Sequence, residues 1–328
     1  MNKKELGNRL HVNKVSLPTT FESVNKPLII LNPAARSEKA GRLSDRLHAL
    51  CGDAEIRQSA HPGDAEQIAR EGIEQGFSTI VAAGGDGTVN EVVNGLMASG
   101  KEGISLGILP VGTMNVFAME LGIPCQSLEK AWEVISSGVT RQIDLPYADS
   151  YGSADSPEGR RRFVQLAGVG LDAEVVRRTT RESKKALGPL SYLLSLAQVA
   201  GAKPPLVRLH DAEGKERVAS FLLIGNGRYY GGPFKMFRQG SPSDGLIDVL
   251  LFRNQSPWDL LRYMHAILIG QHAGLEDVEY FQTSSLRVES EEPVPFELDG
   301  EMAGYIPLTF GLERDVLKVL APLPEAVR

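Results

Sequence analysis

Residues 78–88 constrain this chain more than any other segment. Ile80, Val81, Ala82 and Ala83 are consecutive apolar residues. Such a run reads as a strand buried on both faces, as in a parallel sheet. Gly84-Gly85-Asp86-Gly87-Thr88 follows at once. Val89, Val92, Val93, Leu96 and Met97 then recur at spacings of 3, 1, 3 and 1, the stripe of an amphipathic helix. A strand that enters a helix through such a loop suits a polyphosphate. Glycines let backbone N–H groups approach the anion, and the helix N-terminus adds partial positive charge. Asp86 is unexpected there, because its carboxylate repels phosphate unless a cation lies between. Mg²⁺ is the obvious cation, being commonly held by carboxylates together with phosphate oxygens. Thr88 is placed to cap the helix or touch phosphate. A plain structural turn uses the same residue types. No GKS or GKT occurs and the third glycine of a dinucleotide fingerprint is missing, so neither of those motifs is present.

The pattern repeats on either side. Residues 27–31 form an apolar run ending at Asn32-Pro33, a buried strand entering a loop. Leu43, Leu47 and Leu50 mark a helix, 54–59 a short strand, and Asp64 a cap for a helix carrying Ile68 and Ile73. Residues 104–109 form another strand, followed by Pro110 and a second loop-to-helix passage at Gly112-Thr113. Alternation of strand and helix predicts an open α/β sheet. After Asp144 the texture changes to short strand-like segments at 163–169, 206–209, 218–224, 246–252 and 286–288. Helical patterns interrupt at 189–200 and 257–270, and 150–162 reads as an exposed loop. The expected division is a loose tail at 1–25, an α/β nucleotide-binding domain at 26–145, and a β-rich substrate domain at 146–309. Residues 310–328 are a candidate return to the first domain.

With 328 residues the chain is long enough for two such domains. A net charge of -6 gives no general help in binding nucleic acid, which is set aside as a partner. Two cysteines, Cys51 and Cys125, make neither a metal spacing nor a disulfide framework, and point to a reducing cytoplasm. The strongly apolar stretch at 187–200 is shorter than the roughly 20 residues that cross a bilayer, so no transmembrane segment is expected.

Gly84-Gly85-Asp86-Gly87-Thr88, followed by Val89-Asn90-Glu91 and Asn94-Gly95, resembles the signature of the diacylglycerol kinase catalytic-domain family, which includes sphingosine-kinase-like enzymes. Asn32-Pro33 resembles the family's NPxSG, and Leu109-Pro110-Val111-Gly112-Thr113-Met114-Asn115-Val116-Phe117-Ala118 its second phosphate-side motif. Asp244-Gly245-Leu246-Ile247-Asp248 resembles its DGxLD, and Leu298-Asp299-Gly300-Glu301 its LDGE. The likeness runs from Pro27 to the C-terminus, and its strength lies in the joint order of the motifs.

The resemblance implies a Rossmann-like N-terminal domain, a β-sandwich-like C-terminal domain, and a nucleotide cleft between them. It implies ATP with Mg²⁺ as cofactors and a lipid hydroxyl as acceptor, met at a membrane surface by a cytoplasmic protein. Asn32, Pro33, Ala34, Ala35 and Arg36 are then expected beside nucleotide, with Ser59. Gly84, Gly85, Asp86, Gly87, Thr88, Val89 and Asn90 should wrap the phosphates, with Thr113 alongside. Here Ala34-Ala35-Arg36 replaces the family's Ser-Gly, and Arg36 is a candidate compensating phosphate contact. Asn32, Ser59 and Thr113 also suit local turns or caps.

Transfer to an alcohol needs a base. The resemblance assigns it to the late motif, so Glu301 or Asp299 is expected, the two pointing the same way from an extended segment with the pKa of one raised by the other. Asp299-Gly300 also suits a hairpin turn. Asp86 completes the catalytic candidates. A structural Mg²⁺ is implied at Ser241, Asp244 and Leu246. Tyr229, Tyr230, Phe234 and Phe237 beside Lys235 and Arg238, and Trp258 further on, are candidate lipid contacts. A kinase of soluble substrates related to NAD kinases and a non-catalytic nucleotide-binding regulator are the competing readings, and a homodimer is left open.

Overall fold

The computed structural model describes residues 26–33, 40–152, 159–178 and 205–324. The tail expected at 1–25, the positions Ala34, Ala35 and Arg36, and the helical pattern at 189–200 lie outside the described residues.

Strands β1 (Leu28–Leu31), β2 (Glu55–Gln58), β3 (Thr79–Gly84) and β4 (Ser105–Pro110) alternate with helices α1 (Ala40–Cys51), α2 (Asp64–Glu74) and α3 (Asp86–Ala98). The strands pair in parallel in the order β2-β1-β3-β4. Every side chain of β1, and of β3 from Ile80 onward, is buried. Helices cover both faces of such a sheet, which is why its central strands read as unbroken apolar runs. Asp64 does not cap α2. Gly63 holds the N-cap position at φ 87°, and Asp64, in the first turn, accepts from the Ala60 N–H at 2.6 Å. Two short helices follow, α4 (Val116–Glu120) and α5 (Leu128–Ser136).

The remaining strands are β5 (Thr140–Ser150), β6 (Gly159–Arg162), β7 (Leu166–Val169), β8 (Val207–Asp211), β9 (Glu216–Ala219), β10 (Phe221–Gly225), β11 (Tyr229–Tyr230), β12 (Phe234–Lys235), β13 (Ile247–Phe252), β14 (Val278–Thr283), β15 (Ser285–Glu289), β16 (Pro295–Leu298), β17 (Glu301–Tyr305) and β18 (Leu308–Leu320). Helix α6 (Leu171–Arg178) follows β7, and α7 (Pro257–Leu268) follows β13. Strands β14-β13-β10-β7-β16-β17 form an antiparallel sheet. Its inner face packs on β15 and β18, burying Phe163, Phe296 and Phe310. Phe310 meets the other two rings edge-on, with centroids 6.1 and 6.4 Å away, an arrangement that suits the ring quadrupoles. Its outer face is covered by Val175 of α6 and by Leu260 and Tyr263 of α7. This is the α/β domain plus β-sandwich-like domain expected above.

The two domains share one continuous sheet. The end of β18 pairs in parallel with β4, its beginning pairs with β15, and β5 runs antiparallel beside it. β18 bends between Glu313 and Leu317, where Asp315 takes φ 53°. Asp144 of β5 holds that bend. It is 2% exposed; its Oδ1 accepts from the Asp315 N–H at 2.9 Å and its Oδ2 from the Gly245 N–H at 2.7 Å. Among the described residues no helix is long and apolar enough to cross a membrane.

Removing the Asp144 carboxylate strands the buried Gly245 N–H. Asp144→Ala is therefore expected to lose about 2–4 kcal/mol in urea unfolding, and Asp144→Asn, which keeps an acceptor, less.

Candidate active site

All four parallel strands end on one side of the sheet. β1 runs into Asn32 and Pro33, β2 into Ser59, β3 into Gly84-Gly85, and β4 into the loop that carries Thr113. In the order β2-β1-β3-β4 the chain turns outward in opposite directions from β1 and β3, which opens the ligand-binding crevice of such sheets between their ends. Asn32 bridges that gap, donating Nδ2 to Thr88 Oγ1 at 2.9 Å. Thr88 lies in the first turn of α3 and does not cap it; Gly85 holds the N-cap position with no side-chain cap. Ser59 is buried, and its N–H donates to Leu31 O at 2.9 Å.

Two glycine loops touch by their backbones. A Cβ on Gly112 would lie 2.4 Å from Gly85 Cα, so only glycine permits this approach. The N–H groups of Val111 and Gly112 both donate to Gly84 O. Thr113 and Met114 stand exposed at the rim. Asp86 has a partner that the sequence did not reveal. Its Oδ1 accepts from the Phe117 N–H at 3.1 Å, so the carboxylate sits on the first turn of α4 and ties the two loops together. Burial raises its pKa, and the backbone donors of residues 115–117 oppose that.

The second domain closes the other side. Asn90 of α3 donates Nδ2 to Asp299 Oδ2 at 2.7 Å and to Arg162 O at 3.1 Å. Asn94, one turn on, donates to Arg162 O at 3.2 Å. Asp299 also accepts from the N–H groups of Val164 (2.7 Å), Gln165 (3.0 Å) and Leu166 (3.0 Å). Four donors thus converge on one carboxylate. Buried Glu120 of α4 accepts from the N–H groups of Arg228 and Tyr229, a second link between the domains.

The expected parallel orientation of Asp299 and Glu301 does not hold. Asp299 and Gly300 have φ 48° and 83°, the positive values of a tight hairpin turn between β16 and β17. That turn sends Asp299 inward and leaves Glu301 exposed. Glu301 Oε1 faces the start of α3; a methyl group on Gly87 would lie 3.6 Å from it. The Asp299 carboxyl is pushed up to about 6, chiefly by burial rather than by Glu301, with the N–H donors opposing. Beneath the turn, fully buried Glu297 accepts from the Gly300 N–H at 2.6 Å. Burial and neighbouring Asp172 hold Glu297 well above the carboxylate range, and Asp172 accepts from the Tyr230 hydroxyl.

The expected metal loop lies apart from this group of residues in the contacts it makes. Leu246 N–H donates to Asp244 Oδ1 at 3.0 Å, Gly245 O accepts from Arg314, and Asp144 takes the Gly245 N–H. Among the described residues no three His, Cys, Asp or Glu side chains gather around one point. Of the aromatic candidates, Phe237 is core, Tyr230 is tied to Asp172, and Phe234 and Trp258 are exposed.

The family model of the diacylglycerol kinase catalytic domain matches residues 26–148, and that of the YegS C-terminal NAD kinase β-sandwich-like domain matches 165–321. A diacylglycerol kinase of Bacillus subtilis is 31% identical over 76% of this chain and 79% of its own length. The chain belongs to the diacylglycerol kinase catalytic-domain family. A protein of Chromohalobacter salexigens named "Probable lipid kinase YegS-like" is 33% identical over 80% of this chain and 81% of its own. The crystal structure of a diacylglycerol kinase from Bacillus anthracis superposes with a TM-score of 0.73 at 26% identity, covering 94% of this chain and all of that one. Yeast NADH kinase, at a TM-score of 0.51 and 11% identity over 94% of this chain and 88% of that one, shares the fold alone. Asn94, Glu120, Asp172 and Glu297 also make contacts in this region, and sequence reading did not name them among the candidates. Asn94 alone carried a signal, one helical turn after Asn90.

Asp299 ordinarily titrates near 3.8, and here near 6. Between those values the folded protein holds a proton that the unfolded chain has lost, so this group's contribution to stability falls as pH rises through that window. The four donors need the ionised form, which prevails above about 6. Ligand binding in the crevice should therefore weaken as pH falls through about 6. Asp299→Asn should remove that inflection and lower stability at neutral pH by about 2–4 kcal/mol in urea unfolding.

Proposed function

We propose that this protein transfers the γ-phosphoryl group of ATP to a hydroxyl of a diacylglycerol-like lipid, with Glu301 as the base. The carrying observation is the contrast between the two carboxylates of the late motif. Asp299 is surrounded by four donors, whereas Glu301 is exposed and faces Gly87 at the start of α3. The start of α3 is where the β- and γ-phosphates of ATP are best stabilised, by helix-terminal N–H groups and glycine backbone. A lipid hydroxyl entering beside Glu301 would lose its proton to Oε1 as its oxygen attacks the γ-phosphorus and the bond to ADP breaks.

The other residues hold this geometry. Asn32 and Thr88 fix the crevice between the ends of β1 and β3, and the Gly85–Gly112 contact sets the width of the phosphate cradle. Asn90 and Asp299 hold the second domain, and so Glu301, against α3. We assign Asp86 to clamping the two loops, since it spends Oδ1 on the Phe117 N–H. Magnesium, when bound with the nucleotide, supplies neutralisation of charge on the phosphoryl oxygens. The loop at 241–246 offers hard oxygen donors, the exposed Asp244 carboxylate and backbone carbonyls, which suit that ion as a staple of the fold.

The reading is tested with γ-labelled ATP and Mg²⁺ against a panel of dispersed lipids and, in parallel, NAD. Wild type should label a lipid. Glu301→Gln should lower kcat by about 10²–10⁴ with ATP binding retained, and Gly112→Ala, which forces the loops apart, should weaken ATP binding at least about tenfold. Labelling of NAD instead, or ATP binding without any turnover, would replace it with the soluble-substrate or regulatory reading.

A further inference from the structure

Glu297 of β16 is fully buried and stands just ahead of the turn that presents Glu301. Its Oε2 accepts from the Gly300 N–H at 2.6 Å, inside that turn, where Asp299 and Gly300 take positive φ. Its Oε1 receives no donor. A buried carboxylate oxygen left in this way is costly. The group that Glu297 meets is another acid. Asp172 of α6 is 5% exposed, and its side chain arches over Gly168 of β7, where a Cβ would lie 2.5 Å from Asp172 Oδ2. Gly168 is the register partner of Glu297, so the two carboxyl groups share one face of the sheet and stand in hydrogen-bonding contact.

Two buried carboxylates in contact cannot both ionise. One of them carries a proton, and the hydrogen bonds say which. Asp172 Oδ2 already accepts from the Tyr230 hydroxyl, and Glu297 Oε2 from the Gly300 N–H. Glu297 Oε1 is the atom left without a donor. A proton there turns an unsatisfied acceptor into a donor to Asp172, an O–H···O⁻ bond of the strong, charge-assisted kind. The other residues that face Glu297 supply no cation. Gly168 pairs with it from β7 and Met302 from β17, and Asp299, in its own turn, is a further acid.

We propose that Glu297 is a positioning residue for Glu301, held neutral by a proton that its Oε1 donates to Asp172. The inference rests on the reading of Glu301 as the base. Glu297 fixes the Gly300 N–H, and with it the positive φ values of the turn and the direction in which Glu301 leaves it. Asp172 carries the restraint to α6 and, through the Tyr230 hydroxyl, to β11. β11 is tied in turn to α4, because Glu120 accepts from the Tyr229 N–H. The turn beneath the base is thereby joined to the first domain. Neutrality matters as well. A proton on the pair spares Glu301 and the phosphates another buried negative charge next to Asp299.

The test compares Glu297→Gln and Glu297→Leu in the full chain. The amide of Glu297→Gln keeps an acceptor for the Gly300 N–H and a donor for Asp172, and has no proton to lose. Its kcat should stay within about twofold of wild type. Glu297→Leu keeps only the bulk. It should lower kcat at least about tenfold with KM for ATP nearly unchanged, and its Gly300 amide should exchange at least about tenfold faster. The infrared difference between wild type and Glu297→Gln at neutral pH should show one protonated-carboxyl band, lost in the variant. Glu297 ordinarily titrates near 4.5 and is raised here, so the folded wild type holds a proton that the unfolded chain has lost. Above 4.5 wild type should therefore lose stability relative to Glu297→Gln as pH rises, the ratio of their unfolding constants growing by up to about tenfold per unit. No lost band, or parallel stability profiles, overturns the assignment of the proton. Wild-type kcat in Glu297→Leu, or a Glu297→Gln as impaired as Glu297→Leu, overturns the positioning role. If Glu297→Leu does not fold, the band, the pH slope and the kcat of Glu297→Gln still decide. Should wild type phosphorylate no acceptor, the kinase reading fails on its own, and the band, the pH slope and the Gly300 exchange rate still test the pair.

Discussion

One carboxylate joins the halves of this molecule. Asp299 receives N–H donors from Asn90 on α3 and from three consecutive backbone amides at Val164, Gln165 and Leu166. Charge-assisted hydrogen bonds of this kind are about twice as strong as neutral ones. Burial costs this carboxylate more than the donors return, since its pKa stays raised. What the interaction fixes is the distance between the two domains. It places the β16–β17 turn against the first turns of α3, and the crevice between the domains takes its shape from that contact.

The consequence for chemistry follows from the turn. Asp299 and Gly300 both take positive φ, so the side chains on either side of Gly300 diverge. Asp299 is consumed by structure and Glu301 is presented to the crevice. Glu297 and Asp172, a buried acid pair under the turn, hold the Gly300 N–H and the Tyr230 hydroxyl. The shared sheet sets the larger frame. β5 and β18 run from one domain into the other, with Asp144 clamping the bend, so the domains are joined by backbone pairing as well as by the site. Such a junction resists large relative motion of the domains.

Much of the α/β half was legible. Unbroken apolar runs at 28–31 and 80–83, each ending in a loop, read as buried strands, and the glycine loop between strand and helix marks the crevice. The β-rich half was legible in kind but not in pairing. Antiparallel partners such as β7 with β10 and β16 come from distant parts of the chain, and no local pattern encodes them. The site was legible as a set of motifs, not as a division of labour. Asp86 read as a phosphate-loop carboxylate facing a cation, and its bond to the Phe117 N–H went unseen because that partner is 31 residues away. Asp299 and Glu301 read as equals because extended geometry was assumed where a hairpin turn stands. Glu120 and Glu297 gave no signal, since a buried carboxylate looks in sequence like an exposed one.

The central claim is that residues from both domains build one nucleotide site around the Asp299 contact. Amide hydrogen exchange with and without a non-hydrolysable ATP analogue tests it most directly. Binding should slow exchange in the loops after β3 and β4, at 85–90 and 111–113, and at Val164, Gln165 and Leu166 together. Protection confined to the first domain, with exchange at 164–166 unchanged, would contradict it.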